Sequence, residues 1–135
     1  MMMKNVNVEM KLRNILLKLR NIRREIMSNE DIEIYCNELE EIEEFMCSNS
    51  DYVSFYATDL IHDLVNNYVD KIINESQIIH DINELSDEIK NENMIEELDN
   101  ILYALVALEY STLYEFGNIL ENAIDAVKEL IKEVI

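Results

Sequence analysis

The chain has 135 residues, 49% of them apolar, which is enough for a buried core on the scale of one compact domain. It has no proline and a single glycine, Gly117, so little enforces tight turns; its Ile, Leu, Glu and Asn suit helices punctuated by polar caps. Eleven Lys and Arg against 29 Asp and Glu leave a net charge of −18, which repels DNA, RNA and anionic membranes and argues against direct binding to any of them. The expected class is all-α: a compact bundle of five to six helices in one domain over 1–135, opening with an antiparallel helical hairpin.

The first stretch, MMMKNVNVEMKLRNILLKLRNIRREIM, spreads basic residues throughout and lacks a compact apolar segment before a small-residue cleavage site. It does not read as a secretory signal. Within it Val8, Leu12, Ile15, Leu19, Ile22 and Ile26 step by four and three, a heptad seam of the kind that packs one helix along another. The segment MSNED follows, with Ser28 placed to cap the next helix and Asp31, three residues on, echoing a capping box. Ile32, Tyr35, Leu39, Ile42 and Met46 then form a second seam. Cys36 and Cys47 share that helix, and eleven residues of helical rise put them about 16 Å apart, too far for a disulfide. They read as reduced thiols, and the expected compartment is the cytoplasm.

A third helix is expected after SNSD, carrying Val53, Tyr56, Leu60, Leu64, Tyr68 and Ile72, with NESQ at 74–77 as its break. Ile78, Ile82, Leu85 and Ile89 mark a shorter helix ended by KNEN, where Asn93 and Glu96 make a second capping-box pair. Leu98, Ile101, Leu102, Leu105 and Leu108 follow on the next helix, and a last one, starting after Gly117, carries Leu120, Ile124, Val127, Ile131 and Val134. The longest apolar run, Ile101 to Leu108, is far short of the roughly 20 residues a bilayer requires.

Charge is unevenly placed. The first 24 residues carry seven Lys or Arg against Glu9 alone, a balance of +6, which leaves −24 on the other 111. Residues 25–70 hold thirteen acids and no Lys or Arg. Part of this asymmetry suits a basic first helix folding back on an acidic second one, where opposite charges beside the seam select the register. The surplus is expected to form an interaction surface of Glu30, Asp31, Glu33, Glu38, Glu40, Glu41, Glu43 and Glu44. Rows of carboxylates on a helix imitate a phosphate backbone, so the partner expected is a basic protein, of the nucleic-acid-binding kind, held by salt-sensitive attraction. An inhibitor of viral or phage type fits this reading, as does the Asn- and Ile-rich composition that AT-rich genomes encode. The two heptad seams also suit pairing between chains, hence a homodimer. No cofactor is implied.

Two acidic motifs give an enzymatic alternative. In EEIEEF, Glu41 and Glu44 lie three apart on one helix face; in EELDNILYALVAL, Glu96 and Asp99 do the same before an apolar run. Four such carboxylates converging on a hard cation are the chemistry that holds Mg²⁺ with phosphates. At these residues the chain resembles the MazG-like all-α nucleoside triphosphate pyrophosphohydrolases. The resemblance implies Mg²⁺ bound by Glu41, Glu44, Glu96 and Asp99 and water-driven cleavage of an α–β phosphate linkage. The gap of 52 positions from Glu44 to Glu96 would then include an inserted pair of helices. The bland reading makes Glu96 and Asp99 first-turn acids at a helix N-terminus.

The dipeptides His62-Asp63 and His80-Asp81 resemble the metal-binding pair of the HD-domain phosphohydrolases, which implies a set of His62, His80, Asp81 and Asp125. No Gly-rich phosphate loop is present, because Gly117 stands alone.

Overall fold

The computed structural model describes residues 2–48, 52–108 and 113–135, except the side chains of 2–5, 43, 45–48, 52–58, 113 and 114. Among the expected residues, the side chains of Glu43, Met46, Cys47, Val53 and Tyr56 lie outside the described residues. The described residues form six helices and no strand: α1 (Met2–Ser28), α2 (Glu30–Ser48), α3 (Tyr52–Ser76), α4 (Ile78–Glu88), α5 (Glu92–Ala107) and α6 (Leu113–Val134). Among the described residues, no helix is long and apolar enough to cross a membrane.

Each junction has a local cause. Between α1 and α2 the chain leaves the helix at Asn29 alone, whose side-chain oxygen accepts from the Ile32 amide at 3.0 Å. Asn29 is therefore the cap in place of Ser28, whose hydroxyl instead donates back to the Arg24 carbonyl at 2.6 Å. The expected break at 74–77 falls at Gln77, which takes a left-handed conformation (φ 58°, ψ 22°). Ser76 supports it, its hydroxyl donating to the Ile73 carbonyl at 2.6 Å and accepting from the Ile78 amide at 3.2 Å. α5 opens at Asn91, whose side chain accepts from the amides of Asn93 (3.0 Å) and Met94 (3.3 Å). The capping pair expected at Asn93 and Glu96 is thus moved two residues back, and Glu92 is the acid of the first turn. Gly117 does not start the last helix but lies one turn inside it.

One contiguous buried cluster draws side chains from all six helices. The seams expected on α1, α4 and α5 are buried nearly as read, and Phe116 joins Leu120, Ile124, Val127 and Ile131 on α6. On α3 the buried face is Ile61, Val65, Val69 and Ile73, one position on from the expected Leu60 and Leu64, which are 64% and 42% exposed. Both rows have helical spacing, and only the position of the neighbouring helices chooses between them.

The first two helices touch each other, yet α1 packs far more extensively on α6, and α2 on α3. Among the described residues, the ion pairs of α1 do not run to α2 as the charge pattern suggests. Lys11 pairs with Glu88 and Lys18 with Asp81, both at α4, and Asn14 adds a bond to Asp81 at 3.2 Å. The physical reason is area. α6 offers seven buried apolar side chains from Phe116 to Ile131, and all but Ala123 contribute about 1.5–3 kcal/mol each on burial. The described buried row of α2 is only Ile32, Cys36 and Leu39, and exposed ion pairs contribute about 0–1 kcal/mol each. Apolar area therefore selects the neighbour of α1, and charge follows.

Candidate interaction surface

α2 turns Ile32, Cys36 and Leu39 inward and leaves a broad outer face. On that face Glu30, Asp31, Glu33, Glu38, Glu41 and Glu44 are exposed, Glu40 is half-buried, and Ile34 is the one exposed large apolar residue among the described residues of α2. Glu43 lies outside the described residues. None of the described carboxylates of α2 forms an ion pair with a described residue. Asp31 accepts from the Tyr68 hydroxyl of α3 at 3.3 Å, and Tyr68 stacks on Tyr35 with ring centroids 6.3 Å apart and planes at 27°. The Asp31 carboxylate beside it, with desolvation and Tyr35, raises the Tyr68 phenol above its usual value of 10.0. This aromatic pair fixes which way the N-terminal half of α2 faces.

The acids differ in what they do for the helix. Glu30, Asp31 and Glu33 occupy the first turn, where the positive end of the helix dipole favours them. Glu38, Glu40, Glu41 and Glu44 lie beyond it, and α2 has no basic residue in its last turn. Pairs such as Glu38 with Glu41, Glu41 with Glu44 and Glu40 with Glu44 stand three or four apart, and each like-charge pair destabilises a helix by about 0.2–0.5 kcal/mol. The second half of the acidic face therefore works against its own helix.

The four carboxylates expected to converge on Mg²⁺ do not. Glu41 and Glu44 are exposed on α2, Glu96 and Asp99 are exposed on α5, and these two helices are not among the extensively packed pairs. Among the described residues, no three His, Cys, Asp or Glu side chains group as a metal site. Nor does the set of His62, His80, Asp81 and Asp125 assemble. His80 is exposed, 3.7 Å from Glu84 on its own helix, while Asp81 is taken by Lys18 and Asn14. Glu96 faces a different neighbourhood, an open groove of about 540 Å³ between α5 and α6 that Glu97, Asp125, Glu129 and Glu133 also line. Glu96 and Asp99 are not first-turn acids either, because α5 starts at Glu92.

The basic groups also collect in a way the sequence conceals. Arg13 and Arg20 of α1 and Lys128 and Lys132 of α6 line a groove of about 600 Å³ together with Leu16, Ile131 and two acids, Asp125 and Glu129, the second paired with Lys132. More than a hundred residues separate the two halves of this island, so no linear motif announces it. No protein-family model matches the chain, and neither a curated protein nor a solved structure matches it.

Proposed function

We propose that the chain is an acidic protein-interaction module whose α2 face binds a basic, nucleic-acid-binding protein and competes with nucleic acid for it. The observation that carries the reading is the uncompensated half of α2: Glu38, Glu41 and Glu44 are exposed, form no ion pair among the described residues and lower the stability of their own helix. A basic groove on a partner recovers that cost, since charge pairs desolvated at an interface count for more than exposed ones. The outer face of α2 extends about 21 Å from Glu30 to Glu44 at 1.5 Å per residue, so its carboxylates repeat over a length comparable to several phosphates of a duplex. Ile34 gives the face one apolar anchor among the charges.

The test is competition. Purified DNA-binding proteins of basic character, HU and a linker histone among them, are titrated with the chain in the presence of labelled duplex DNA, over a salt series. The expected outcome is DNA release at low salt that fades as salt rises. A variant carrying Glu38→Lys, Glu41→Lys and Glu44→Lys loses that activity. A variant with the same charge change on α6, Glu121→Lys, Asp125→Lys and Glu129→Lys, keeps it. Equal loss in both variants would reduce the effect to net charge and refute a role for α2.

A further inference from the structure

We infer that the exposed stripe of α1 is a docking surface for the acidic outer face of α2 from a second copy of this chain, so that a two-fold dimer masks the face proposed above to meet a basic protein. The inference rests on that reading of α2 as a docking face and adds its regulation.

The outer stripe of α1 is a heptad series in its own right. Met10, Arg13, Leu17, Arg20 and Arg24 step by three, four, three and four, on the side of the helix opposite its buried row. Met10 is 65% and Leu17 56% exposed, and all three arginines are exposed. Across the groove between the two helices α6 adds Lys128 and Lys132, together with Asp125 and Glu129, and Lys132 is paired with Glu129 at 3.1 Å, so the arginines of α1 carry most of the unpaired positive charge. Arg20 has no ion-pair partner among the described residues, Arg24 bonds only Asn21, and Arg13 reaches only Glu9 of its own helix at 3.3 Å. In a chain of net charge −18 the α1 stripe itself is basic and apolar, and among the described residues Glu9 is the one acid paired with it.

A complement to the stripe is present on the same molecule. The outer row of α2, Glu30, Ile34, Asn37, Glu41 and Glu44, steps by four, three, four and three, with Glu38 beside it and Ile34 52% exposed. The α1 series spans about 21 Å from Met10 to Arg24, the same length as the α2 series, so the two match in extent as well as in charge. Within one chain the two helices do not satisfy each other, because α1 packs chiefly on α6 and α2 on α3. Between two copies related by a two-fold axis, each α1 meets the partner copy's α2 and the contact is made twice. Four helix faces of this length and about 10 Å width bury roughly 850 Å², below the ~1,000 Å² of a stable specific interface and in the range of weak, transient ones. The dimer is therefore weak and reversible, which suits a mask.

Salt separates this contact from simple attraction. Two chains of −18 repel at long range, and that repulsion is screened before the contact pairs are. Self-association is accordingly weaker at ~20 mM salt than at ~150 mM, where the Debye length falls to about 8 Å, and weakens again near ~1 M.

Light scattering on the full chain at about 100 µM, well above the micromolar range that an interface of this size reaches, gives the first readout. The expected mass is twice 16.0 kDa at intermediate salt. The variant Arg13→Glu, Arg20→Glu, Arg24→Glu and the variant Glu30→Arg, Glu38→Arg, Glu41→Arg are each expected to be monomeric, although the second carries less net charge than the original. Mixed together, they are expected to restore a dimer, since each reversed face then meets an opposite one. Should a reversed variant unfold, as seen by circular dichroism, glutamine at the same positions carries the same expected loss of self-association. A monomer under all salt conditions, a dimer untouched by either reversal, or a mixture that fails to re-associate would each overturn the inference. Failure of the parent reading looks different. Salt-sensitive competition for HU by the unmodified chain, with no self-association at any salt concentration, sinks the dimer alone. Self-association without competition sinks the foreign basic partner alone.

Discussion

Replacing Gly117 by alanine tests the path of the chain at a point where two readings predict opposite signs. As a helix boundary, Gly117 would be valuable for its freedom to adopt positive φ, and a β-carbon there would cost about 1 kcal/mol. In the structure it has no positive φ and sits inside α6, half-buried, with nothing within 4 Å of the position an added β-carbon would take. Alanine then meets no clash and removes backbone entropy from the unfolded chain, and the helix gains the Ala–Gly difference of about 0.8–1.0 kcal/mol. For a chain of this length that corresponds to a rise in Tm of about 3–6 °C. Urea unfolding followed by far-ultraviolet circular dichroism, at one low protein concentration so that self-association does not contribute, measures the change directly. A midpoint shifted upward with unchanged slope is the expected result. A lower midpoint would mean that the chain turns at Gly117, and the packing of Phe116 with Leu120 on one continuous helix would be refuted with it.

Other outcomes follow from the junctions and the polar contacts. Asn29→Ala removes the cap of α2 and costs about 1 kcal/mol, whereas Ser28→Ala costs less than about 0.5 kcal/mol because its exposed hydroxyl only returns to the Arg24 carbonyl; urea midpoints of the two variants distinguish them. A double-mutant cycle on Lys18→Ala and Asp81→Ala gives a coupling of about 0.5–1.5 kcal/mol, since those side chains are only 26% and 21% exposed. The same cycle on Lys132 and Glu129, 72% and 69% exposed, gives about 0–0.3 kcal/mol, and equal couplings would contradict the burial difference. Tyr68 ionises above 10.0, as read from the tyrosinate absorption lost in Tyr68→Phe, and Asp31→Asn brings it down. The native phenol holds its proton where the unfolded one has released it, so this group's stabilisation is complete below pH 10.0 and is lost as pH rises from there through the native pKa.

Much of the helical architecture was legible in the sequence because it rests on local rules. Apolar residues at steps of three and four on α1, α4 and α5 mark faces that are buried in the structure, since one helix face can leave water only as a unit. The absence of proline and the polar clusters near 28, 74–77 and 90–93 marked the breaks to within a residue or two. Capping atoms were harder to read. Ser28 and Asn29, or Asn91 and Asn93, are chemically close, and backbone geometry at each junction picks one. The acidic face of α2 was readable as composition, and its spread around one helix follows from period alone.

Neighbourhood was decided only by tertiary structure. Leu60 with Leu64 and Ile61 with Val65 are equally good helical rows, and α3 buries the second because of where the other helices lie. The charge pattern joined α1 to α2, but the area of α6 takes α1 and leaves α4 to supply its ion pairs. The paired acids at Glu41, Glu44, Glu96 and Asp99 share a motif spacing without sharing a site, and Arg20 and Lys128 share a groove without sharing any motif. Spacing along a helix is a property of the backbone and is written locally. Which helices meet depends on how the summed apolar area of the whole chain is best buried, and no segment carries that sum.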